Sequence, residues 1–172
     1  MHALPLFDLT LVLASLPPPY QLRVQRDDDD GFAAALYSST RGDLRQMPAE
    51  PAVIEQLITM QQRMQSHGYR QAYPHAAYLV LQHGDIPIGR LILDRQDQVL
   101  HLVDIAILPA AQGQGAGSAV LRGLQAQAGA EQWQIHLAVN KSNAAARALY
   151  QRLGFRRRGE NEVQEQLEWS AP

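Results

Sequence analysis

The stretch LVDIAILPAAQGQGAGSAVLRG, residues 102–123, decides how the rest of the chain is read. It opens as an apolar strand, turns at Pro109 and runs through QGQGAG into the first turn of a helix. Gly113, Gly115 and Gly117 stand at alternate positions. Glycines there leave the backbone N–H groups uncovered and permit the φ values of a tight strand-to-helix turn. The N–H groups then converge where the helix dipole is positive, a place suited to an anion, and above all to a phosphate or pyrophosphate. The competing reading is a turn that only lets a helix pack closely on a strand.

Two familiar phosphate loops are excluded. A P-loop ends Gly-Lys-Ser/Thr, whereas Gly117 is followed by Ser118 and Ala119. The dinucleotide fingerprint G-x-G-x-x-G, counted from Gly113, meets Ser118 in its sixth place, and the next strand ends at Val139 and Asn140 without the ribose-binding acid.

The arrangement Gln112, Gly115, Gly117 resembles the acyl-CoA loop Q/R-x-x-G-x-G/A of the GNAT (Gcn5-related) N-acetyltransferases. A second block, NAAARALYQRLGF at residues 143–155, is similar to that family's N-x-x-A-x-x-L-Y-x-x-x-G-F segment. The two blocks follow in order, separated by one strand. The resemblance covers residues 20–169 and implies the family's α/β fold, a mixed, mostly antiparallel sheet flanked by helices.

Composition sets the outer bounds. A chain of 172 residues buries one core of ordinary size, and 46% apolar with 19% charged residues describes a globular protein. A net charge of -2 supplies no basic field for nucleic acid. Without cysteine there is no disulfide, thiolate nucleophile or thiolate zinc site, and the six histidines show no metal-ligand spacing, so no metal is expected. Residues 1–16 are apolar, but they carry no Lys or Arg before the apolar run, and Asp8 interrupts it. They read as a frayed segment or an added strand rather than a signal or a membrane span, and the expected location is cytoplasmic.

Residues 1–19 are expected to form an N-terminal extension, ending in the stiff extended spacer Pro17-Pro18-Pro19, and residues 20–172 a single domain. Strands are expected at residues 20–25, 77–82, 86–94, 99–108, 133–139, 155–158 and 163–169. Helices are expected at 31–37, 52–67, from the glycine loop to about 129, and at 143–153. Asp27, Asp28, Asp29 and Asp30 read as a solvated helix start. Val53, Leu57, Met60 and Met64 form a stripe at helical spacing, expected in the core, and Gly68 is the expected stop of that helix.

The resemblance implies direct acetyl transfer from acetyl-CoA to a primary amine of a small molecule or a peptide, without a covalent intermediate. It implies that the N–H groups of Gly113, Gln114, Gly115, Ala116, Gly117 and Ser118, with Gln112, hold the pyrophosphate. Ile105, Ala106 and Ile107 would pair with the pantetheine arm in a splay between their strand and the next, where an N–H polarises the thioester carbonyl. Asn143 matches a residue that bonds the arm, and is equally a fitting helix N-cap. The loop has no Lys or Arg, so Arg122 and Arg147 are the candidate helpers. Tyr150 matches the family's general acid at the sulfur end of the cofactor. The glutamate that several relatives carry on the strand at 133–139 is replaced here by Ala138. Asp104, among Leu102, Val103 and Ile105, is a candidate proton acceptor, a binder of the cationic amine, or a structural partner for Arg90; His101 is a weaker candidate. Residues 31–75, including Tyr69, Tyr73 and His75, and the last hairpin are expected to choose the acceptor. Two other readings stand beside this one: a catalytically silent acyl-CoA-binding or sensing domain, and a protein-interaction module. A monomer and a homodimer both fit, with neither nucleic acid nor membrane as partner.

Overall fold

A computed structural model describes residues 8–172. Seven strands form one sheet, and naming them in chain order fixes the topology: β1 (Tyr20–Val24), β2 (Ala77–His83), β3 (Ile86–Gln96), β4 (Val99–Ile107), β5 (Gln134–Asn140), β6 (Arg156–Glu160) and β7 (Gln164–Trp169). They lie in the order β1-β2-β3-β4-β5-β7-β6. All neighbours are antiparallel except β4 and β5, which are parallel and therefore need the intervening helix.

Among the described residues six α-helices cover the two faces: α1 (Thr10–Leu13), α2 (Asp30–Ser39), α3 (Gly42–Arg45), α4 (Pro51–Ala72), α5 (Ala116–Glu131) and α6 (Ala144–Arg152). The main core joins one sheet face to α1, α5 and α6 through Val12, Val120, Leu121, Leu124, Leu91, Leu100 and Ile135, all fully buried. A smaller cluster of Tyr37, Leu44, Ile54 and Ile58 ties α2, α3 and α4 together over the other face. Strand β3 is buried on both sides from Ile88 to Asp94, which is why it reads as a nearly continuous apolar run rather than an alternating one.

Several expectations are corrected. Residues 1–7 lie outside the described residues, but 8–16 are neither frayed nor a strand. Val12 is fully buried, Leu9 joins the main core, and Ser15 sits so close to α5 that a Cβ at Gly123 would stand 2.8 Å from its hydroxyl oxygen. The prolines turn rather than extend, and the Tyr20 N–H donates to the Pro17 carbonyl (3.1 Å). Asp29 is not solvated. It is 6% exposed and accepts two bonds from the Arg23 guanidinium (2.7 and 2.8 Å) and one from the Arg26 N–H (2.7 Å). These donors hold its carboxyl below the usual range, the Arg23 bond foremost.

Helix α4 runs through Gly68 to Ala72, and its apolar stripe is displaced. The inward residues are Ile54 and Ile58, whereas Val53, Met60 and Met64 are more than half exposed. An apolar sector wide enough to include both rows leaves its facing undetermined by periodicity alone, and the partners Tyr37 and Leu44 select the Ile54–Ile58 row. No helix among the described residues is long and apolar enough to cross a membrane.

Candidate active site

The site forms where β4 and β5 part. Their parallel pairing runs from Val99↔Gln134 to Leu102↔Leu137 and stops. Beyond it, β4 continues on β3 as far as Gly89↔Ile107, while β5 continues on β7 from Ala138↔Gln166 to Asn140↔Gln164. A register shift in the β3–β4 ladder between Ile92↔Asp104 and Leu93↔Leu102 leaves Val103 as a bulge at the point of divergence. The result is a wedge walled by residues 103–107 on one side and 138–140 on the other.

Antiparallel pairing decides which backbone groups line the wedge. Leu108 N–H donates to the Ile88 carbonyl (2.8 Å), so Ala106, two residues earlier and opposite Arg90, also turns its main chain toward β3. Ile105 and Ile107 therefore face the wedge, and Ala106 does not, a correction to the expected run of three. The Ile107 carbonyl is taken by the Gln112 side-chain amide (2.9 Å). Gln112 thus ties the loop to β4: its own N–H bonds the Pro109 carbonyl (3.2 Å), and neither group is offered to a ligand.

At the mouth of the wedge the glycine loop enters α5. Gly113 and Gly115 have φ of 73° and 90°, a region L side chains avoid. Gly117 differs: its φ is ordinary, and a Cβ there would lie in normal contact with Leu149 (3.5 Å) and Ile107 (3.7 Å). The first backbone bond of α5 is Ala119 N–H to the Gly115 carbonyl (2.9 Å), and its N-cap Gly115 supplies no side-chain acceptor. The N–H groups of Gly113, Gln114, Gly115, Ala116, Gly117 and Ser118 accordingly make no bond among the described residues. A row of unpaired donors at a helix N-terminus fits a diphosphate. Of the expected cationic helpers, Arg147 is held by Glu165 (2.8 Å) and the Lys141 carbonyl (3.1 Å), and Arg122 lies on the exposed side of α5.

Tyr150, on α6, is 6% exposed and packs edge-on against Phe155, ring centroids 5.5 Å apart. Burial, and then the charge of Asp104, push its phenol up to about 12. Asn143 caps α6, its side-chain oxygen accepting the Ala146 N–H (3.2 Å). Asp104 bonds Arg90, which donates from two guanidinium nitrogens (2.6 and 3.2 Å) to a single carboxylate oxygen, Oδ2. Oδ1 makes no bond among the described residues. The structural partner weighed for Asp104 is therefore real, yet half of the carboxylate stays available. Tyr69 of α4 feels the charges of the same pair. Its phenol is also pushed up to about 12, by burial first and then by the Asp104 charge, against the opposing charge of Arg90. The Asp104 charge thus acts on two phenols that both stay protonated, Tyr150 of α6 and Tyr69 of α4. Ala138, on the opposite wall, is exposed and brings no acid.

His101 stands apart from this chemistry. It lies in the paired part of β4, directly across from His136 of β5, with rings edge-on at 5.6 Å. Burial is the main reason both imidazoles sit below 6.5, with Arg158 pushing the same way and Asp94 and Glu168 opposing. The fold therefore holds both rings neutral. The unfolded chain binds their protons more readily, so this contribution is complete above pH 6.5 and is lost as pH falls below it. The thermal midpoint is expected to drop between pH 7.5 and 5.5, and to drop less in the double variant His101→Gln/His136→Gln. Calorimetric unfolding across that range checks it.

The model of the acetyltransferase (GNAT) family matches residues 43–155. The chain belongs to that family. As a GNAT protein it is an acetyl-CoA-dependent N-acetyltransferase. Solved structures share the fold at low identity. The PaiA N-acetyltransferase of Thermoplasma acidophilum, in complex with coenzyme A, superposes with a TM-score of 0.66 at 13% identity, over 88% of this chain and 99% of its own. The ribosomal-protein-S18-alanine N-acetyltransferase of Escherichia coli gives 0.60 at 20%, over 88% and 93%. RimL, a ribosomal L7/L12 alpha-N-protein acetyltransferase in complex with coenzyme A, gives 0.63 at 13%, over 90% and 96%. The expected mixed sheet flanked by helices is the observed one.

Proposed function

We propose that this enzyme carries acetyl from acetyl-CoA to a primary amine of a small molecule or of a peptide or protein N-terminus. The observation that carries the reading is the conjunction of unpaired N–H donors at the α5 mouth with a wedge whose wall exposes the Ile105 main chain. The donors of residues 113–118 hold the diphosphate. Ile105 pairs with the pantetheine arm as an added strand would, and an N–H of the wedge polarises the thioester carbonyl.

The amine nitrogen forms the new bond to the carbonyl carbon as the carbon–sulfur bond breaks. Tyr150 serves the departing sulfur. A thiol ionises near 8.5 and this phenol near 12, so complete transfer of the phenolic proton to the thiolate runs uphill. Tyr150 acts instead by donating a hydrogen bond that stabilises charge as it gathers on sulfur. Asp104 receives the incoming ammonium at Oδ1 while Arg90 holds Oδ2. Carboxylates are weaker bases than alkylamines, so the role that suits Asp104 is seating the ammonium while water takes its first proton. The second proton leaves the nitrogen once the carbon–nitrogen bond has formed and passes through water to the departing thiolate, which leaves as the thiol. Asn143 borders the arm beyond its capping role.

The test is a panel of small primary amines and peptides with free N-termini, read by thiol release. Asp104→Asn keeps the shape and removes the charge. It is expected to raise the KM of an active acceptor roughly tenfold, the worth of a hydrogen bond to a charged group, with coenzyme A affinity unchanged. Coenzyme A binding without thiol release on any acceptor would favour the silent, sensing reading instead.

A further inference from the structure

The diphosphate loop has no cationic side chain, so its grip depends wholly on how its peptide planes are turned. Gln114 stands between Gly113 and Gly115, both at positive φ and both without a Cβ to hinder rotation. Neither glycine would meet any atom within 4 Å if it carried a Cβ, so packing does not hold this turn in place. A peptide flanked in this way flips easily, and a flip of the 114–115 plane would point a carbonyl where a donor is required.

One contact from a distant element prevents it. The Tyr20 hydroxyl donates to the Gln114 carbonyl at 2.9 Å, across 94 residues of sequence. In a trans peptide the C=O and the following N–H point in opposite directions. Holding the Gln114 oxygen on the Tyr20 side therefore aims the Gly115 N–H the other way. Tyr20 itself is firmly placed. It opens β1 opposite His83, its ring meets that imidazole edge-on at 5.6 Å, and the Gly84 N–H bonds the adjacent Pro19 carbonyl (2.8 Å). The Gln114 side chain adds a second tie, to the Ala110 carbonyl (3.0 Å), but this fixes the loop's base and not the 114–115 plane.

We infer that Tyr20 is a positioning residue for the cofactor, a phenol on the edge strand that sets the Gly115 N–H toward the diphosphate. This rests on the coenzyme A reading of the loop. Losing the hydroxyl removes one neutral hydrogen bond and frees the plane to flip, an effect on binding and not on the bonds made and broken.

The experiment compares the full chain with Tyr20→Phe, which keeps the ring and its contact with His83. Calorimetry with coenzyme A is expected to show the dissociation constant raised roughly fivefold, the worth of one neutral hydrogen bond. The KM for acetyl-CoA rises by the same factor while kcat is unchanged, and the unfolding midpoint of the unligated protein stays within about 2 °C. Unchanged affinity overturns the inference. So does a loss of kcat matching the loss of affinity, or a weakening that only tracks a lowered midpoint, since either marks a general structural role. If the unaltered protein takes up no coenzyme A at all, it is the reading of the loop that fails, and Tyr20→Phe is not needed to show it.

Discussion

Tyr150→Phe is expected to lower kcat by roughly two to three orders of magnitude, the usual cost of removing one donor aimed at developing charge. Coenzyme A affinity stays where it was, because the diphosphate donors lie on the loop before α5 and the ring remains packed on Phe155. The pH profile adds a sign. With its ionisation pushed up to about 12, Tyr150 stays protonated through the whole working range. The rate of the unaltered enzyme should therefore climb with pH as more of the acceptor becomes free amine, with no descending limb from Tyr150 below about pH 11. A phenol at its ordinary value near 10 would bend the profile down earlier. Steady-state rates between pH 6.5 and 10.5 with one acceptor measure both effects, and equal turnover in the phenylalanine variant would remove Tyr150 from the mechanism.

The second large effect is expected at Gly115. A β-branched residue at φ 90° is strained although nothing stands in the way of its side chain, so Gly115→Val acts through the backbone alone. The loop relieves that strain by turning its peptides, and the row of donors is broken up. Coenzyme A affinity is expected to fall by roughly a hundredfold or more, which corresponds to the upper range of about 3 kcal/mol for a residue forced into such a region. Gly117→Ala is the contrasting case. Its backbone is ordinary and the added methyl meets Leu149 and Ile107 at van der Waals distance, so binding should change by less than a factor of about three. Calorimetric titration of both variants separates a glycine needed for conformation from one that only permits close packing.

That contrast also marks how far the sequence could be read. The loop, the strand before it and the 143–155 block were legible because they are local: glycine spacing, an N-cap asparagine and a stop at Gly154, whose φ of 85° is what a helix stop requires. Strand and helix order followed from periodicity, and the wedge was expected from the resemblance. What stayed hidden depends on register and on distant partners. The three glycines look alike in sequence, yet only two take positive φ. Gln112 fills a ligand-binding place in the motif, but its side-chain amide donates to the Ile107 carbonyl, and that contact occupies it. The residues around Asp104 fit three roles equally, and it is the β3–β4 register that sets Arg90 diagonal to it. Tyr69 is expected only as one of several acceptor-side residues, and the extension of α4 past residue 67 to Ala72 is what sets it on that helix, where its phenol feels the Asp104 charge. The α4 stripe failed for a related reason, since helical spacing fixes a period and not which of two adjacent rows faces the core. Asp29 looked like one acid among four until Arg23, six residues away on β1, was found against it.

The account depends on main-chain amides, without cationic side chains, holding a diphosphate at the mouth of α5. Isothermal titration of the unaltered protein with coenzyme A tests this most directly. The structure predicts saturable one-to-one binding in the micromolar range that weakens only modestly with added salt, since no long-range side-chain charge is involved. Absence of any heat at millimolar coenzyme A would contradict it.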